Sequence, residues 1–410
     1  MSKLSYLCPY CFTEHKIYDV EFRCKNLRCK PKPDLLQASY YGKSPELRPI
    51  CFPAPKESSY YMPEIGICPE CHEQTATRVC PSCHNTLPAT IDINNEMIIS
   101  IIGSRDSGKS SYMGVLIHEL KQRIAIGLNG AANFMDKDSS SEYERRFGQY
   151  LYPTTPGTTP RRIPQTKMNL VGKSVVGANR PILCDFKLEK KSFFNQITIP
   201  YTLVFFDTAG EVFDDEEAMF TIAKYIGKSQ GIIFLLDPFQ IPKVRGSLSS
   251  AVVYGASNVK AGTVSPAAEI VLRVANLIRA QNSISEKKKI TIPVVAAFSK
   301  LDAIKEILPP GSWLLRESQH LESNSYVEQD GWNVKEEMLG LLHEWGEQEF
   351  LKHLELNYSK FQLGAFSALG NNPDVKGRIQ APRPHRIEDA LLWILKEQEI
   401  IDSNVPKGRK

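Results

Sequence analysis

The sequence predicts an α/β fold in which a doubly wound, mostly parallel sheet is preceded by a small cysteine-rich module. Apolar runs of strand length alternate with helical patterns from residue 97 onward, which is typical of a parallel sheet covered by helices. Nine of the ten cysteines lie before Asn85, most of them in closely spaced pairs. A chain of 410 residues is too long for one compact core, so we expect at least two domains.

The overall composition is that of an ordinary soluble globular protein. Hydrophobic residues make up 42% and charged residues 23%, and the net charge of +4 is too small to indicate nucleic-acid binding by itself. No apolar run approaches the roughly 18 residues of a membrane span, and the N-terminus lacks the apolar core of a secretory signal. We therefore expect a cytoplasmic protein without a transmembrane segment, whose paired cysteines bind zinc rather than form disulfides.

Four cysteine pairs predict two structural zinc sites. The first group is Cys8, Cys11, Cys24 and Cys29, and the second group is Cys68, Cys71, Cys80 and Cys83. Two pairs supply the four thiolates of a closed tetrahedral site, and the presence of four pairs argues against a redox role for a single Cys-x-x-Cys. Each group can close on itself, or the pairs can interleave between the groups; the spacing leaves both arrangements open.

The remaining residues of this front end receive no zinc role. His72 and His84 directly follow cysteines but are left out of the ligand sets, and Cys51 and Cys184 are predicted to be spare buried thiols. The segment 31–67, rich in Pro and Tyr, is predicted to be an irregular connector. A basic cluster is predicted to be a solvated face, with docking of a protein favoured over nucleic acid. Its members are Lys25, Arg28, Lys30 and Lys32.

The most informative motif is the run GSRDSGKS from Gly103 to Ser110, which fits the phosphate-binding pattern G-x-x-x-x-G-K-[ST], the P-loop. It follows an apolar run at 97–102 and precedes a helical pattern at 111–121, the setting in which the pattern carries meaning. The backbone N–H groups of the loop and of the helix N-terminus would cradle phosphate oxygens. Lys109 would reach the β- and γ-phosphates, and the Ser110 hydroxyl would ligate Mg²⁺.

Further apolar runs end in residues that suit a nucleotide site. The run at 201–206 ends in Asp207, which is placed to hold Mg²⁺, and Gly210 can bring its N–H close to a γ-phosphate. Runs at 231–236, 290–298 and 361–366 follow, and the last two end in SKLD (299–302) and SAL (367–369). Helical patterns lie at 215–228, 265–281, 335–356 and 386–399. Parallel strands would bring the motifs to one edge of the sheet.

In this order, the motifs GxxxxGKS, DTAG, SKLD and SAL resemble the GTPase class of P-loop proteins, Ras-like in the wide sense, over residues 97–399. The resemblance implies that Asp302 accepts hydrogen bonds from guanine, that Lys300 packs along the base and that the Ala368 N–H meets the guanine oxygen. Ser299 departs from the commoner Asn or Thr. The implied nucleotide-binding set is Gly103, Asp106, Ser107, Gly108, Lys109, Ser110, Ser111, Gly210, Ser299, Lys300, Asp302, Ser367 and Ala368.

The segment 127–165 stands where switch I of a GTPase belongs, although it is much longer than a minimal switch. A threonine in this segment should close over Mg²⁺ and the γ-phosphate. The candidates are Thr159 and Thr158, with Thr154, Thr155 and Thr166 as alternatives. Arg161 or Arg162 is a candidate arginine finger in cis, which would neutralise charge in the transition state.

Glu211 stands where many GTPases place a Gln that orients the attacking water. A carboxylate can accept a hydrogen bond from that water, but it also repels the γ-phosphate. We therefore expect hydrolysis to be slow or to depend on a partner. The predicted catalytic residues are Lys109, Thr159, Arg161 and Glu211, and the predicted Mg²⁺ ligands are Ser110, Thr159 and Asp207.

Most of the chain is also similar to the bacterial double-GTPase families, whose members are encoded beside a second GTPase in predicted conflict or defence gene clusters. The matched residues are CPYCF at 8–12, CPSCHNTLP at 80–88 and the P-loop. This resemblance implies a protein partner, either a second GTPase or an effector.

These observations predict a GTP-binding switch that is a slow or partner-stimulated, Mg²⁺-dependent GTPase with two structural Zn²⁺ ions. The predicted organisation is a double zinc-ribbon module at 1–90, a GTPase domain at 91–402 and a basic tail at 403–410. An ATP-dependent P-loop NTPase, a nucleotide-binding scaffold that does not hydrolyse, and an RNA-associated GTPase are the alternatives.

Overall fold

The centre of the protein is a mixed sheet flanked by helices. The computed structural model describes residues 4–55, 61–164, 170–171, 174–175, 180–191, 196–206, 223–249, 252, 266–371, 374 and 377–404. Over these ranges, the central sheet has seven strands. They are β1 (Asn95–Ile102), β2 (Gly130–Phe134), β3 (Ile182–Lys191), β4 (Gln196–Phe206), β5 (Gly231–Leu236), β6 (Val294–Phe298) and β7 (Phe361–Ala365).

The strands lie in the order β2-β3-β4-β1-β5-β6-β7. Strands β4, β1, β5, β6 and β7 run parallel to one another. Strand β3 runs antiparallel to β4, and β2 runs antiparallel to β3. The predicted doubly wound, mostly parallel sheet is therefore confirmed, and the carboxyl ends of the parallel strands meet at one edge.

The central strands are buried on both faces. Every residue of β5 and β6 is buried, as expected of parallel strands that carry helices on each side. Alternate residues of β1 enter two separate cores, because successive side chains point to opposite faces. Ile98 and Ile102 join one core, whereas Ile99 and Ile101 join the other.

Helices cover both faces of the sheet. In the described part of the core, the α-helices are Lys109–Glu119, Ala125–Gly127, Lys137–Tyr143, Gln149–Leu151, Pro242–Ser247, Ala267–Asn282, Leu301–Ile304, Glu328–Trp345, Gln348–Asn357 and Asp389–Glu397. Two π-helical stretches, Leu120–Ile124 and Glu144–Gly148, continue helices, and short 3₁₀ turns lie at Ala223–Lys228, Pro238–Gln240, Lys305–Ile307 and Trp313–Leu315.

Two predicted elements differ in extent from the observed ones. The helix predicted at 335–356 is two helices, because Gly346 adopts a left-handed φ of 90° that ends Glu328–Trp345. The strand predicted at 290–298 begins only at Val294, after Pro293, which has no N–H to donate to a ladder. Ile290 instead forms an isolated bridge with Tyr358. Of the helix predicted at 215–228, the described part is a 3₁₀ turn.

The long segment at 127–165 contains regular structure. It contributes the edge strand β2, and Asp136 caps the helix Lys137–Tyr143 by accepting a hydrogen bond from the Ser139 N–H at 2.6 Å. The hydroxyl of Tyr143 donates to the Gly114 carbonyl at 3.0 Å. A Cβ at Gly114 would meet Phe147 and Leu151 at 2.9 Å, so the segment packs directly on the helix that follows the P-loop.

The cysteine-rich module consists of three short strand pairs and one three-stranded sheet, in which Glu21–Arg23 lies between Cys51–Pro53 and Arg78–Val79. Its strands are Ser5–Leu7, Glu14–Lys16, Glu21–Arg23, Lys32–Pro33, Leu47–Arg48, Cys51–Pro53, Gly66–Ile67, Gln74–Thr75 and Arg78–Val79. The connector predicted to be irregular also contains the helix Leu35–Tyr41, which Asp34 caps and Gly42 ends. A 3₁₀ turn lies at Ile17–Asp19, and two further strand pairs lie outside the module, Leu170–Val171 with Ser174–Val175 and Tyr326–Val327 with Ser403–Asn404.

Across the described ranges, none of the helices combines the length and apolarity that a membrane crossing requires.

Candidate nucleotide site and zinc centres

The P-loop joins β1 to the helix Lys109–Glu119 at the carboxyl edge of the sheet. Asp106 and Gly108 adopt left-handed backbone conformations, with φ of 62° and 84°. The Lys109 ammonium group is buried and donates to the Gly103 and Ser104 carbonyls at 2.6 and 2.7 Å. The loop is therefore curled around its own lysine, the residue that the sequence predicts to contact a phosphate.

Gly103 is required by its surroundings. A Cβ at this position would lie 2.4 Å from the Leu235 carbonyl oxygen and 2.6 Å from Ser107 Oγ. The neighbouring strand β5 thus approaches the loop too closely for any side chain. Within the described structure, the buried Ser107 hydroxyl has no hydrogen-bond partner, so it remains available to a ligand in the loop.

The SKLD motif lies beside the P-loop. A Cβ at Gly108 would come within 3.8 Å of the Ser299 side chain. Ser299 is held by its backbone N–H and hydroxyl, which donate to the Leu236 carbonyl at 2.9 and 3.2 Å. Lys300 has a φ of 58°, and its ammonium donates to Asp237 Oδ2 at 2.9 Å.

Asp302 and the SAL motif meet at the same edge. The Ser367 hydroxyl donates to Asp302 Oδ1 at 2.5 Å and accepts from the Gly370 N–H at 2.9 Å. The Leu301 N–H donates to the Phe366 carbonyl at 3.1 Å, and Ala368 is buried. The structure thus brings together the two motifs that the sequence predicts to face a base.

A buried charged cluster supports the loop that carries Ser367. Ser367 and His385 exchange backbone hydrogen bonds of 3.1 and 2.9 Å. The next residue, Arg386, makes a two-pronged contact with Asp330 at 2.9 and 3.0 Å, and its side chain is fully buried. It also donates to the Trp313 and Arg316 carbonyls. Because the geometry of this pair is fixed by several hydrogen bonds, it anchors the loop firmly.

The two candidate arginine fingers have different positions. The guanidinium of Arg162 forms an ion pair with Asp106 of the P-loop, and the backbone N–H of Arg162 donates to the Gly377 carbonyl at 2.8 Å. The guanidinium of Arg161 lies 5.0 Å from the centre of the Tyr150 ring. Thr159 is exposed on the same segment, as are Thr154, Thr155 and Thr158. Of the two arginines, Arg162 is therefore the one beside the P-loop.

Ser110 and Ser111 lie in the first turn of the helix Lys109–Glu119, at the end that points its N–H groups toward the P-loop. Asp207, Gly210 and Glu211 lie outside the described residues, as does Thr166. Asp237 is a residue of the site that the sequence prediction missed. The sequence could have indicated it, because Asp237 directly follows the apolar run of β5, just as Asp207 follows the run at 201–206.

The eight paired cysteines form two tetrads that interleave along the chain. Cys8 and Cys11 join Cys80 and Cys83, while Cys24 and Cys29 join Cys68 and Cys71. The sulfur pairs lie 3.6–3.9 Å apart. Four sulfurs at about 2.3 Å from a tetrahedral Zn²⁺ would lie roughly 3.8 Å from one another, so both tetrads fit the ion.

Three of the cysteine turns share one backbone geometry. The residue after the second cysteine donates its N–H to the carbonyl of the first: Phe12 to Cys8, His72 to Cys68 and His84 to Cys80, at 2.8–3.0 Å. These three residues also have left-handed φ values of 52–58°. N–H groups of Asn26, Ser82 and Asn85 point at ligand sulfurs at 3.3–3.4 Å, which is typical support for thiolate ligands.

The first zinc turn packs directly on the sheet. The Phe12 ring lies 5.9 Å from the ring of Phe206, the last residue of β4, and 5.6 Å from that of Tyr225. Tyr10 stacks under the Arg180 guanidinium, and the arginine also donates to the Tyr10 hydroxyl at 3.2 Å. Burial raises the pKa of Tyr10, so its hydroxyl stays neutral in this contact. Phe12 thus contacts Phe206 and Tyr225, which precede and follow the segment 207–222 in the sequence.

Comparisons with known proteins find only distant likenesses. No family model matches the chain, and no curated protein matches it. The chain aligns with a structure of sup35 complexed with GDP at 12% identity, covering 70% of this chain and 40% of that one, with a TM-score of 0.24. It aligns with the S. cerevisiae Ski7 GTPase-like domain bound to GTP at 12% identity, covering 76% and 52%, with a TM-score of 0.31.

The same Ski7 domain bound to GDP and inorganic phosphate gives 11% identity, coverage of 75% and 51%, and a TM-score of 0.29. The chain therefore spans about half of these proteins or less. A likeness at this level says nothing about what this chain binds.

The interleaved tetrads make a testable prediction about metal content. Replacing Cys8, Cys11, Cys80 and Cys83 together by Ser should lower the zinc content by one equivalent per chain, because these four residues form one site. Replacing Cys8, Cys11, Cys24 and Cys29 should lower it by two. Elemental analysis of the purified full-length variants measures both. A loss of two equivalents in the first variant and of one in the second would show instead that Cys8, Cys11, Cys24 and Cys29 form one site.

Proposed function

We propose that this chain is a GTP-binding switch and a slow or partner-stimulated, Mg²⁺-dependent GTPase. One observation carries the proposal: the P-loop, Asp302 and Ser367 lie at the same edge of the sheet. The Ser367 hydroxyl donates to Asp302 Oδ1 at 2.5 Å. A phosphate cradle alone serves any nucleotide, whereas a carboxylate beside it can accept hydrogen bonds from the N1–H and amino group of guanine. Adenine does not offer that pair of donors.

The phosphate chain would bind by replacing contacts that the P-loop makes with itself. The Lys109 ammonium donates to two carbonyls of its own loop, and a phosphate oxygen is a stronger, charged acceptor. The Ser107 hydroxyl and the N–H groups at the start of the helix Lys109–Glu119 would add further donors. Ser110 would hold Mg²⁺ together with Asp207 and Thr159, and the ion would offset the negative charge of the β- and γ-phosphates.

The base would lie between Lys300 and the SAL loop. Asp237 holds the Lys300 ammonium at 2.9 Å, so the methylene stem of this lysine is fixed along one side of the site. Ser367 orients the Asp302 carboxylate, and the Ala368 N–H would donate to the guanine carbonyl oxygen. Ser299 completes the set through its contacts with β5.

Hydrolysis requires a cation near the γ-phosphate, since Glu211 would otherwise repel it. Arg162 already lies beside the P-loop, paired with Asp106, and is the group that best fits this role. Arg161, the other candidate, is held on the Tyr150 ring. A protein partner, either a second GTPase or an effector, and a role in bacterial conflict or defence remain predictions from the sequence resemblance.

The guanine assignment is tested by competition of GTP against ATP, with Mg²⁺, on the zinc-loaded protein. We expect a strong GTP preference in the wild type and a loss of about 10- to 100-fold in GTP affinity in Asp302→Asn, since hydrogen bonds to a charged group contribute about 1.5–3 kcal/mol. Asp19→Asn, which removes an exposed carboxylate of the cysteine-rich module, is the control and should bind like the wild type. Equal binding of GTP and ATP would contradict the guanine site and favour a general P-loop NTPase.

The catalytic role of Arg162 is tested by single-turnover hydrolysis. Arg162→Ala should slow the reaction by about 10³-fold or more, the effect typical of an arginine finger, while Arg161→Ala should change it far less. Nucleotide affinity is measured for both variants to separate binding from chemistry. Tight GTP binding without turnover in the wild type would identify a scaffold instead of an enzyme.

The contact between the first zinc turn and the sheet should influence nucleotide binding. Phe206 directly precedes Asp207, so we expect Phe12→Ala to weaken GTP affinity by about 2- to 10-fold, from loss of aromatic contacts of about 0.5–1.5 kcal/mol. Phe52→Ala is the matched control, because Phe52 is buried in the same module against Phe22. Equal effects of the two variants, with zinc retained, would mean that the module acts only through general stability.

A further inference from the structure

The cysteine-rich module contains a third group of metal-binding side chains. Asp34, Cys51 and His84 each offer one ligand atom, and these atoms all lie within 4.8 Å of one another. None of the three belongs to a tetrad. Cys51 is directly opposite Arg23 in the antiparallel pair of Cys51–Pro53 with Glu21–Arg23, so Glu21, Arg23 and Cys51 share one face of this small sheet. His84 packs against that face.

The contacts around these side chains orient them toward a common centre. His84 Nδ1 lies 2.8 Å from Asp34 Oδ1, while Nε2 on the far side of the ring lies 3.2 Å from Glu21 Oε2. Asp34 Oδ2 accepts from Arg23 at 2.7 Å. A carboxylate on the outer nitrogen of a histidine and a donor on the outer oxygen of an aspartate are the usual support of metal ligands. Nδ1 and Oδ1 are the inner atoms, within 4.8 Å of the Cys51 sulfur, and Oδ1 also accepts from the Gln37 N–H at 3.0 Å.

The backbone that carries His84 is also fixed. Its φ is 52°, its N–H donates to the Cys80 carbonyl at 2.8 Å, and its carbonyl accepts from Arg23 at 2.9 Å. Asp34 is held as the cap of the helix Leu35–Tyr41 by the Gln37 N–H at 3.0 Å. A site with this much support loses little conformational freedom on binding an ion.

The charges also suit a divalent cation. A Cys51 thiolate with the Asp34 and Glu21 carboxylates carries three negative charges, and Zn²⁺ with the Arg23 guanidinium balances them. The cluster of His320, Asp330 and Asp389 gives a useful contrast. There the Val327 N–H donates to His320 Nδ1 at 3.0 Å, which leaves the ring proton on Nε2, the atom that faces the carboxylates at 3.7 and 3.9 Å. In that cluster a backbone donor occupies Nδ1. Among the described residues, no backbone donor occupies a ring nitrogen of His84: both nitrogens face carboxylate oxygens, and an ion bound at Nδ1 would take the place of the proton shared with Asp34 Oδ1.

We propose that Asp34, Cys51 and His84 form a third metal site, for zinc or a similar borderline divalent ion. One sulfur, one imidazole nitrogen and one carboxylate oxygen give three protein ligands, so the fourth tetrahedral position is open to water. Asp34 also lines a polar cavity of ≈ 250 Å³ with Tyr41 and Arg48, so one of the three ligands borders a space that holds water. This site differs from the closed tetrads in ligand type.

The test compares two histidines that occupy the same place in equivalent turns. His84→Asn removes the imidazole but keeps a residue that tolerates a left-handed φ. His72→Asn makes the same change where φ is 58°, at a histidine that belongs to none of the ligand groups among the described residues. The full-length protein is saturated with zinc and freed of excess ion, and its zinc content is measured. We expect three equivalents in the wild type and in His72→Asn, and two in His84→Asn.

Cys51→Ser gives an independent variant on a different strand and should also hold two equivalents. X-ray absorption at the zinc edge should show nitrogen or oxygen neighbours at about 2.0–2.1 Å in addition to sulfur at about 2.3 Å in the wild type, and sulfur alone in both site variants. Cys184→Ala serves as the thiol control; burial raises the pKa of that thiol to about 12, and it should retain three equivalents. Two equivalents in the wild type, with sulfur neighbours only, would overturn the proposal and leave His84 as an ion-pair partner of Asp34 and Glu21.

Discussion

Parallel pairing of the strands around β1 is the constraint on which the rest of the structure depends. Because β1, β5, β6 and β7 run in the same direction, their carboxyl ends reach one edge of the sheet, and the loops that follow them become neighbours. The P-loop, Asp237, the SKLD motif and the SAL motif meet there although long helical crossovers separate them in the chain. The closeness of β5 to Gly103 shows how tightly this edge is packed.

The cysteine-rich module supplies a second constraint, since its strands are too short to form a stable core alone. Each tetrad joins chain segments that lie far apart in sequence, so metal binding would fold the connector and all four cysteine pairs as one unit. The module shares its apolar core with one face of the central sheet, through Phe12, Phe206 and Tyr225. Loss of a zinc ion would therefore disturb the packing of the sheet as well as that of the module.

Buried charge keeps the base side of the site in place. The pair of Arg386 with Asp330 is fully desolvated, and such pairs contribute little net stability because desolvation offsets their attraction. Their geometry is nevertheless specific. Arg386 follows His385, which pairs with Ser367, so the position of the SAL loop relative to Asp302 depends on a network that lies behind the site.

The fold class, the strand-end motifs and the cysteine pairs follow from the sequence by itself, because strand and helix periodicity and local motif spacing are properties of neighbouring residues. Element boundaries were less accurate where a single residue decided them, as Gly346 and Pro293 did. Strand β2 within 127–165 was missed, since its pairing with β3 is a long-range contact.

Tertiary structure alone decided which residues meet. The pairing of Cys8 and Cys11 with Cys80 and Cys83 depends on how the module closes, and local spacing is equally compatible with either arrangement. The choice of Arg162 over Arg161 as the arginine beside the P-loop, and the approach of Asp34 and Cys51 to His84, likewise depend on packing between distant segments. The sequence by itself determined the chemistry available to this protein, through the residue types in its motifs. Only the tertiary structure decided which of those groups lie close enough to act together, because contact energies fall off within a few ångströms and depend on the whole chain path.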